Sequence, residues 1–279
     1  MPVTSPAPAL TPEEQNLVKL ERRNRRKATW TVAVIRLALL AVFIVLWQTV
    51  GGRAFGVLNV SSPSLIAHRA GTWIGNGYLL SNLGVTLKEA GIGFVLGTVV
   101  GVLIGIALGS SVMLARVLGP FVSGLYAVPK VVLAPLLVVW FGIGMELKVW
   151  MSFLFVVFLV VYTTWSGLTN VSPDLTNALK LMGSSRLRIV RVVVLPAVFA
   201  WVLTGLRVSF PLALIGALLG ELVASSQGIG HLVITSGDAF DVTGVLVGVL
   251  ALTITAIIVD SVISYIESRA KGYGLVGNI

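Results

Sequence analysis

Cysteine is absent from the 279 residues, histidine occurs twice, and only 11 % of the chain is charged. Without thiols there can be no disulfide, zinc–thiolate site or cysteine nucleophile, while the redox compartment stays open. The dipeptide Gly-Lys does not occur, so there is no phosphate-binding GxxxxGK loop and the chain is not expected to hydrolyse ATP itself. HExxH and GxSxG are also missing. His68 and His231 both fall in expected outer loops. A metal pair of His231 with Asp238 is the weaker reading there, because polar loop residues are ordinarily just solvated. Asp260 and Glu221 have no second catalytic group at a telling spacing. The expectation is therefore no enzyme activity, no catalytic residue and no metal ligand. Soluble domains carry about 25 % charged residues. With 56 % hydrophobic residues and a mean hydropathy of +0.98, a soluble enzyme, a disordered chain and a fibrous protein are all excluded.

What the chain has in quantity is long apolar segments, at Trp30–Val50, Val85–Leu108, Leu118–Phe141, Val149–Leu168, Val192–Leu222 and Val242–Ile266. Each is long enough for a helix to cross a hydrocarbon core of about 30 Å. The alternating ten-residue strands of a β-barrel are not seen. The fold class is all-α, a polytopic membrane protein with six transmembrane helices. Trp30–Val50 is too long for the apolar part of a signal peptide and has no evident cleavage site. Between the first two spans, Pro63 to Ile74 reads as an amphipathic helix lying along the outer interface. Trp140, Trp150, Tyr162 and Trp165 sit where interfacial anchors are expected.

The charge is lopsided: 20 Lys and Arg against 11 Asp and Glu, a net +9. Thirteen of the basic residues fall on one predicted side: six in the tail 1–29, then Arg116, Lys180, Arg186, Arg188, Arg191, Arg269 and Lys271. By the positive-inside rule that side is the cytoplasm, so both termini are expected there. The imbalance reports orientation and lipid contact rather than nucleic acid, which is not expected as a partner. The implied organisation begins with a Pro-rich basic tail over 1–29, expected to be disordered. A first span with an outer interfacial segment covers 30–81, a transmembrane domain covers 82–266, and a cytoplasmic tail covers 267–279.

Two local patterns stand out. Gly93, Gly97, Gly101, Gly105 and Gly109 recur every fourth residue and line one helix face, where glycine lets a second backbone approach closely. Tight packing within one subunit is the favoured reading, and a sliding surface between moving helices the sharper one. The other pattern is the loop 172–196. Ser172 is placed to cap a helix starting at Pro173, and Gly183 to end it with a positive φ. Ser184 or Ser185 would cap a second helix carrying Arg186, Arg188 and Arg191, and a bend into the membrane is expected at Pro196.

Gly183, with Val193, Leu195 and Pro196 at offsets of 10, 12 and 13, resembles the E-A-A-x(3)-G-x(9)-I-x-L-P loop of type I bacterial ABC importer permeases. The chain departs from it with Asn177, Ala178 and Leu179 at the E-A-A positions and Val193 for Ile. Ser62-Pro63-Ser64, Pro129-Lys130, Ala134-Pro135-Leu136 and Trp140-Phe141-Gly142-Ile143-Gly144 are similar to the nitrate/sulfonate/taurine-type subfamily. So are Thr204-Gly205-Leu206-Arg207, Gly220-Glu221 and Gly228-Ile229-Gly230, and the likeness covers Val57 to Arg269.

The resemblance implies the type I permease fold in a bacterial plasma membrane, with a second permease copy as default partner. It implies two ATP-binding subunits, which carry the ATP and Mg2+, and an extracytoplasmic solute-binding protein; this chain itself has no cofactor. The loop would dock on an ATPase subunit. Ala178 and Leu179 would make apolar contact beside Asn177, Gly183 the tight turn, and Arg186 or Arg188 charge complementarity. Leu195 and Pro196 would set the hairpin's angle. Charges inside spans usually face a partner or a wet cavity, which makes Lys130, Arg207 and Glu221 candidates for the translocation pathway. The first two would suit a small anion such as a sulfonate, nitrate or carboxylate. The alternative for Arg207 and Glu221 is a structural ion pair with each other. A stand-alone secondary transporter or channel is the competing function, but no internal repeat supports it.

Overall fold

A computed structural model describes residues 30–32, 34–49, 51, 60–171 and 173–272. Ser172, the tail 1–29 and residues 273–279 lie outside the described residues. The chain divides into two units, Met1–Ser64 and Leu65–Ile279.

In the first unit the helix α1, Trp30–Thr49, is long and apolar enough to cross a membrane. Its end is tied to the following segment by side chains: Trp47 Nε1 donates to the Ser61 carbonyl at 2.8 Å, and Gln48 Nε2 donates to Ser64 Oγ at 3.0 Å. Gln48 Oε1 in turn accepts from the Ser64 backbone N–H.

Every regular element among the second unit's described residues is helical. The amphipathic helix α2, Pro63–Gly75, appears where expected. It is followed by α3 (Tyr78–Ser110), α4 (Val112–Ala127), a 3-10 turn (Lys130–Leu133), α5 (Ala134–Phe141) and α6 (Met145–Thr169). Next come α7 (Pro173–Leu181), α8 (Arg186–Ile189), a π turn (Val190–Val194), α9 (Leu195–Val223), α10 (Ile229–Asp238) and α11 (Val242–Gly272). Among the described residues, five helices are long and apolar enough to cross a membrane, or six if the bent pair α4 and α5 counts as one span.

At the centre, α6 runs between α3 and α9. The five glycines of α3 face Ser152, Val156, Val160, Thr164 and Leu168 of α6, which are also four residues apart. A methyl group on any of these glycines would come within 2.5–2.8 Å of the facing Cβ. Because both series ascend together, α3 and α6 are parallel and in register over about 24 Å. With little hydrophobic drive between helices in lipid, such close backbone approach supplies the dispersion contacts that hold them. On the other flank, Gly216 of α9 sits against the Ser152 backbone and Gly220 against that of Lys148. Ala90, Val156, Val160, Phe210, Ala213, Leu214 and Ala217 close the core, with Phe94 set edge-on to Phe210 at 5.4 Å.

Two expectations are corrected. Leu118–Phe141 is not one straight span but α4 and α5 bent by 83°. Pro129 is the cause: it has no N–H to continue the helix and pushes Val128 into an extended conformation (φ −62°, ψ 127°). The second correction concerns Pro196. The helix is not broken there, and α8 is not a separate helix, because Arg186–Val223 forms one 38-residue helical unit. The π turn just before Pro196 provides the reason. Leu195 N–H reaches back five residues to the Val190 carbonyl, and this widened turn accommodates the proline ring.

Candidate functional site

Three groups of side chains carry the candidate chemistry, and the first is the hairpin around Gly183. Asp174 lies in the first turn of α7 and Lys180 in its last, each matching the helix dipole. Gly183 has φ +75°. Its N–H bonds the Lys180 carbonyl at 2.9 Å, and Ser184 N–H bonds the Leu179 carbonyl at 3.0 Å. This is the paired hydrogen-bond pattern of a Schellman stop, which needs a left-handed residue at that one position. Ser185 Oγ then accepts from Arg188 N–H and starts α8. Asn177, Ala178, Gly183, Arg186, Arg188 and Leu195 are exposed, while Leu179 and Pro196 are half-buried. Sequence reasoning passed over the most exposed apolar side chains here, Leu181 at 90 % and Met182 at 80 %. They flank the very glycine the motif singles out.

The second group lies at the other end of the bundle and centres on Glu221, which is 1 % exposed. Its Oε1 accepts from Thr86 Oγ1 at 2.7 Å and its Oε2 from Gly230 N–H at 2.5 Å. Thr86 Oγ1 also accepts from Ile229 N–H, and Asn82 Oδ1 accepts from Gly228 N–H. The free N–H groups at the start of α10 are thus taken up by side chains of α3 and α9. A side chain on Gly228 or Gly230 would collide with Glu221, so the small residues of that turn are a packing requirement. Glu89 and Lys148 are buried in the same region, and Glu89 Oε2 has no hydrogen-bond partner among the described residues.

The third group comprises the remaining charges. Arg207 does not pair with Glu221. It forms a two-pronged ion pair with Asp260 of α11, Nε to Oδ1 at 2.6 Å and Nη2 to Oδ2 at 3.0 Å. The expected partner was wrong because Glu221 lies almost four turns further along α9. Arg69 of α2 pairs with Asp241 at 2.5 Å and lies over the Trp73 ring. Lys130 stands at the elbow between α4 and α5. Its Nζ donates to the Tyr126 carbonyl at 2.8 Å and lies 4.7 Å from the Tyr126 ring and 5.7 Å from that of Phe158.

Residues 97–272, more than half of the chain, match the family described as binding-protein-dependent transport system inner membrane component. The chain belongs to this family. It is a type I ABC importer permease, a multi-pass inner-membrane protein and a channel component rather than a catalytic subunit. Among curated relatives, a putative aliphatic sulfonates transport permease of Bacillus subtilis is 27 % identical over 252 residues, covering 89 % of this chain and 90 % of its own. A riboflavin transport system permease of Chloroflexus aurantiacus is 29 % identical, covering 91 % and 92 %. The taurine transport system permease of Escherichia coli is 25 % identical, covering 89 % and 94 %. In structure, the permease resembles a chain of the inward-facing MetNI methionine ABC transporter, with a TM-score of 0.56 at 19 % identity over 69 % of this chain and 94 % of that one. That likeness is one of fold.

Proposed function

We propose that two copies of this permease form the channel of an ATP-driven importer for a small organic or inorganic anion. A solute-binding protein delivers the anion, and the Gly183 hairpin couples the channel to two ATPase subunits that bind ATP and Mg2+. The observation that carries this reading is the hairpin itself. Its Schellman stop presents Leu181 and Met182 to solvent beside Arg186 and Arg188, and the chain then continues as one helical unit from Arg186 to Val223. An exposed apolar tip flanked by cations suits a groove on a protein partner, and an unbroken helix transmits the movement of that tip into the bundle. Ala178 and Asn177 add to the docking face, and Leu195 and Pro196 hold the angle at which it meets the span. The anion class rests on the sulfonate and taurine relatives together with a lysine inside a broken span.

The orientation is argued from the same end of the bundle. Arg116, Lys180, Arg186, Arg188 and Arg191 cluster at the end where α3 and α6 finish, which supports a cytoplasmic side there and, with six spans, cytoplasmic termini. In membranes carrying the tagged permease, an ATPase subunit should co-purify and taurine or ethanesulfonate uptake should require ATP. Gly183→Asp should leave insertion intact and reduce ATP-dependent uptake about tenfold or more, since coupling worth about 1.4 kcal/mol is a factor of ten. Normal uptake and solute-stimulated ATPase in that variant would remove the coupling assignment, and a carrier working without any ATPase would remove the importer reading.

A further inference from the structure

The elbow between α4 and α5 poses two problems in a membrane. Non-helical backbone at membrane depth is tolerated only where protein buries it or it lines a water-filled cavity, yet Val128 and Pro129 are exposed on this subunit. A cation there faces the same restriction, and among the described residues no carboxylate pairs with Lys130. Ser123 and Tyr162 share a hydrogen bond between their hydroxyls. The Tyr162 ring lies 5.3 Å from that of Tyr126, over which the lysine ammonium sits. Ser123, Tyr126, Lys130 and Tyr162 therefore form one continuous patch of cation and hydroxyls, drawn from α4, the break and α6.

We propose that this patch is an oxyanion station on the translocation pathway, with Lys130 supplying charge and the Ser123–Tyr162 pair, whose mutual hydrogen bond leaves one O–H free, supplying a hydroxyl donor to the sulfonate or carboxylate end of the solute. The proposal rests on the importer reading for its pathway. The geometry gives each part a task. The Tyr126 carbonyl and the two rings fix the ammonium with one hydrogen bond while its other N–H groups remain to donate. The Ser123–Tyr162 hydroxyl pair is linked to the ammonium through the adjoining Tyr162 and Tyr126 rings. Arg207 is excluded from the role by its ion pair with Asp260, and Glu221 by its buried hydrogen bonds to Thr86 and Gly230. Lys130 also caps a carbonyl that the helix break has freed, which is a structural task, so the test has to separate the two.

The intact permease in nanodiscs of zwitterionic phosphatidylcholine is treated with sulfosuccinimidyl acetate, a water-soluble amine reagent, and acetylated peptides are counted by mass spectrometry. Lys180 on the hairpin serves as the exposed reference. Lys130 is expected to react, and about 10 mM ethanesulfonate or acetate should slow its labelling about fivefold or more for an affinity near 1 mM. Ethyl methyl sulfone, which is uncharged, should give no protection. The double variant Ser123→Ala, Tyr162→Phe should lose most of the protection while Lys130 still reacts, since neither change touches the capped carbonyl. A Lys130 that stays unlabelled while Lys180 reacts overturns the proposal, as does labelling that neither anion slows or that the sulfone slows equally. Anionic lipid headgroups offer the same chemistry. If phosphatidylglycerol nanodiscs suppress Lys130 labelling and added ethanesulfonate has no effect in phosphatidylcholine, the occupant is lipid and the solute assignment falls. None of these readouts needs ATP or a partner subunit, so failure of the importer reading shows separately, as missing ATPase co-purification.

Discussion

The α3–α6 seam and the α4–α5 elbow are built from similarly apolar sequence, yet they end up as opposites. Along the seam a glycine every fourth residue brings two backbones together, and α6 buries more than half of its apolar window. At the elbow one proline breaks the helix, the chain turns by 83°, and Phe121, Leu125, Val132, Val139 and Trp140 are left exposed on the subunit. Hydrophobicity does not separate the two regions; the placement of small residues and of one proline does. The seam has the features of a rigid frame. The elbow has those of a surface completed by something outside this subunit, a second copy, lipid or a wet pathway.

The comparison can be broken first at the seam. Gly101→Leu would drive a side chain into Val160 Cβ and the Val157 carbonyl, both 2.8 Å from where its Cβ would lie. Since backbone cannot yield as a flexible side chain does, the cost should exceed about 3 kcal/mol. Size-exclusion chromatography of the extracted protein should show loss of the monodisperse species, and a normal profile would mean the helices separate easily.

Glu221→Ala should come next. It leaves the Gly230 N–H without its buried acceptor and the Thr86 hydroxyl with only the Asn82 carbonyl at 3.3 Å, a loss on the order of 2 kcal/mol, read as a lowered Tm in detergent. An unchanged Tm would show that water replaces the carboxylate. The smallest effect should belong to the elbow. Pro129→Ala should alter stability by no more than about 1 kcal/mol, because Ala134 and Leu137 remain available to pack against Leu147 and Met151 and hold α5 in place. In this cysteine-free chain, spin labels at Val117→Cys and Val139→Cys should report a broader distance distribution that extends to longer values as the elbow loosens. A distribution identical to the parent's would mean that tertiary packing, not proline, holds the bend.

Much of this arrangement is legible in the sequence, for reasons that differ by residue. Helix positions come from apolar length, the α7 stop from a glycine after a short amphipathic segment, and the α8 cap from Ser185. The glycine repeat points to close packing, but a repeat names no partner; only Ser152, Val156, Val160, Thr164 and Leu168 show that α6 fills it. The Arg207 pairing is misjudged from sequence because proximity along α9 is not proximity in space, and Asp260 arrives from α11. Proline misleads at both positions. Pro129 breaks its helix, and Pro196 does not, because a widened turn precedes it. Thr86 and Asn82 carry no signal at all, since a buried cap for a distant helix has no spacing that a single chain displays.

The π turn at Val190–Val194 also sets a phase. It holds one residue more than an α-helical turn would, and each residue of a helix rotates the chain beyond it by about 100°. Deleting Val192 would therefore leave the hairpin's composition intact while turning Leu181, Met182 and the arginines to a different compass bearing about the axis of α9. The direction in which this subunit presents its exposed apolar tip is set by a single extra residue next to Pro196, and not by the tip.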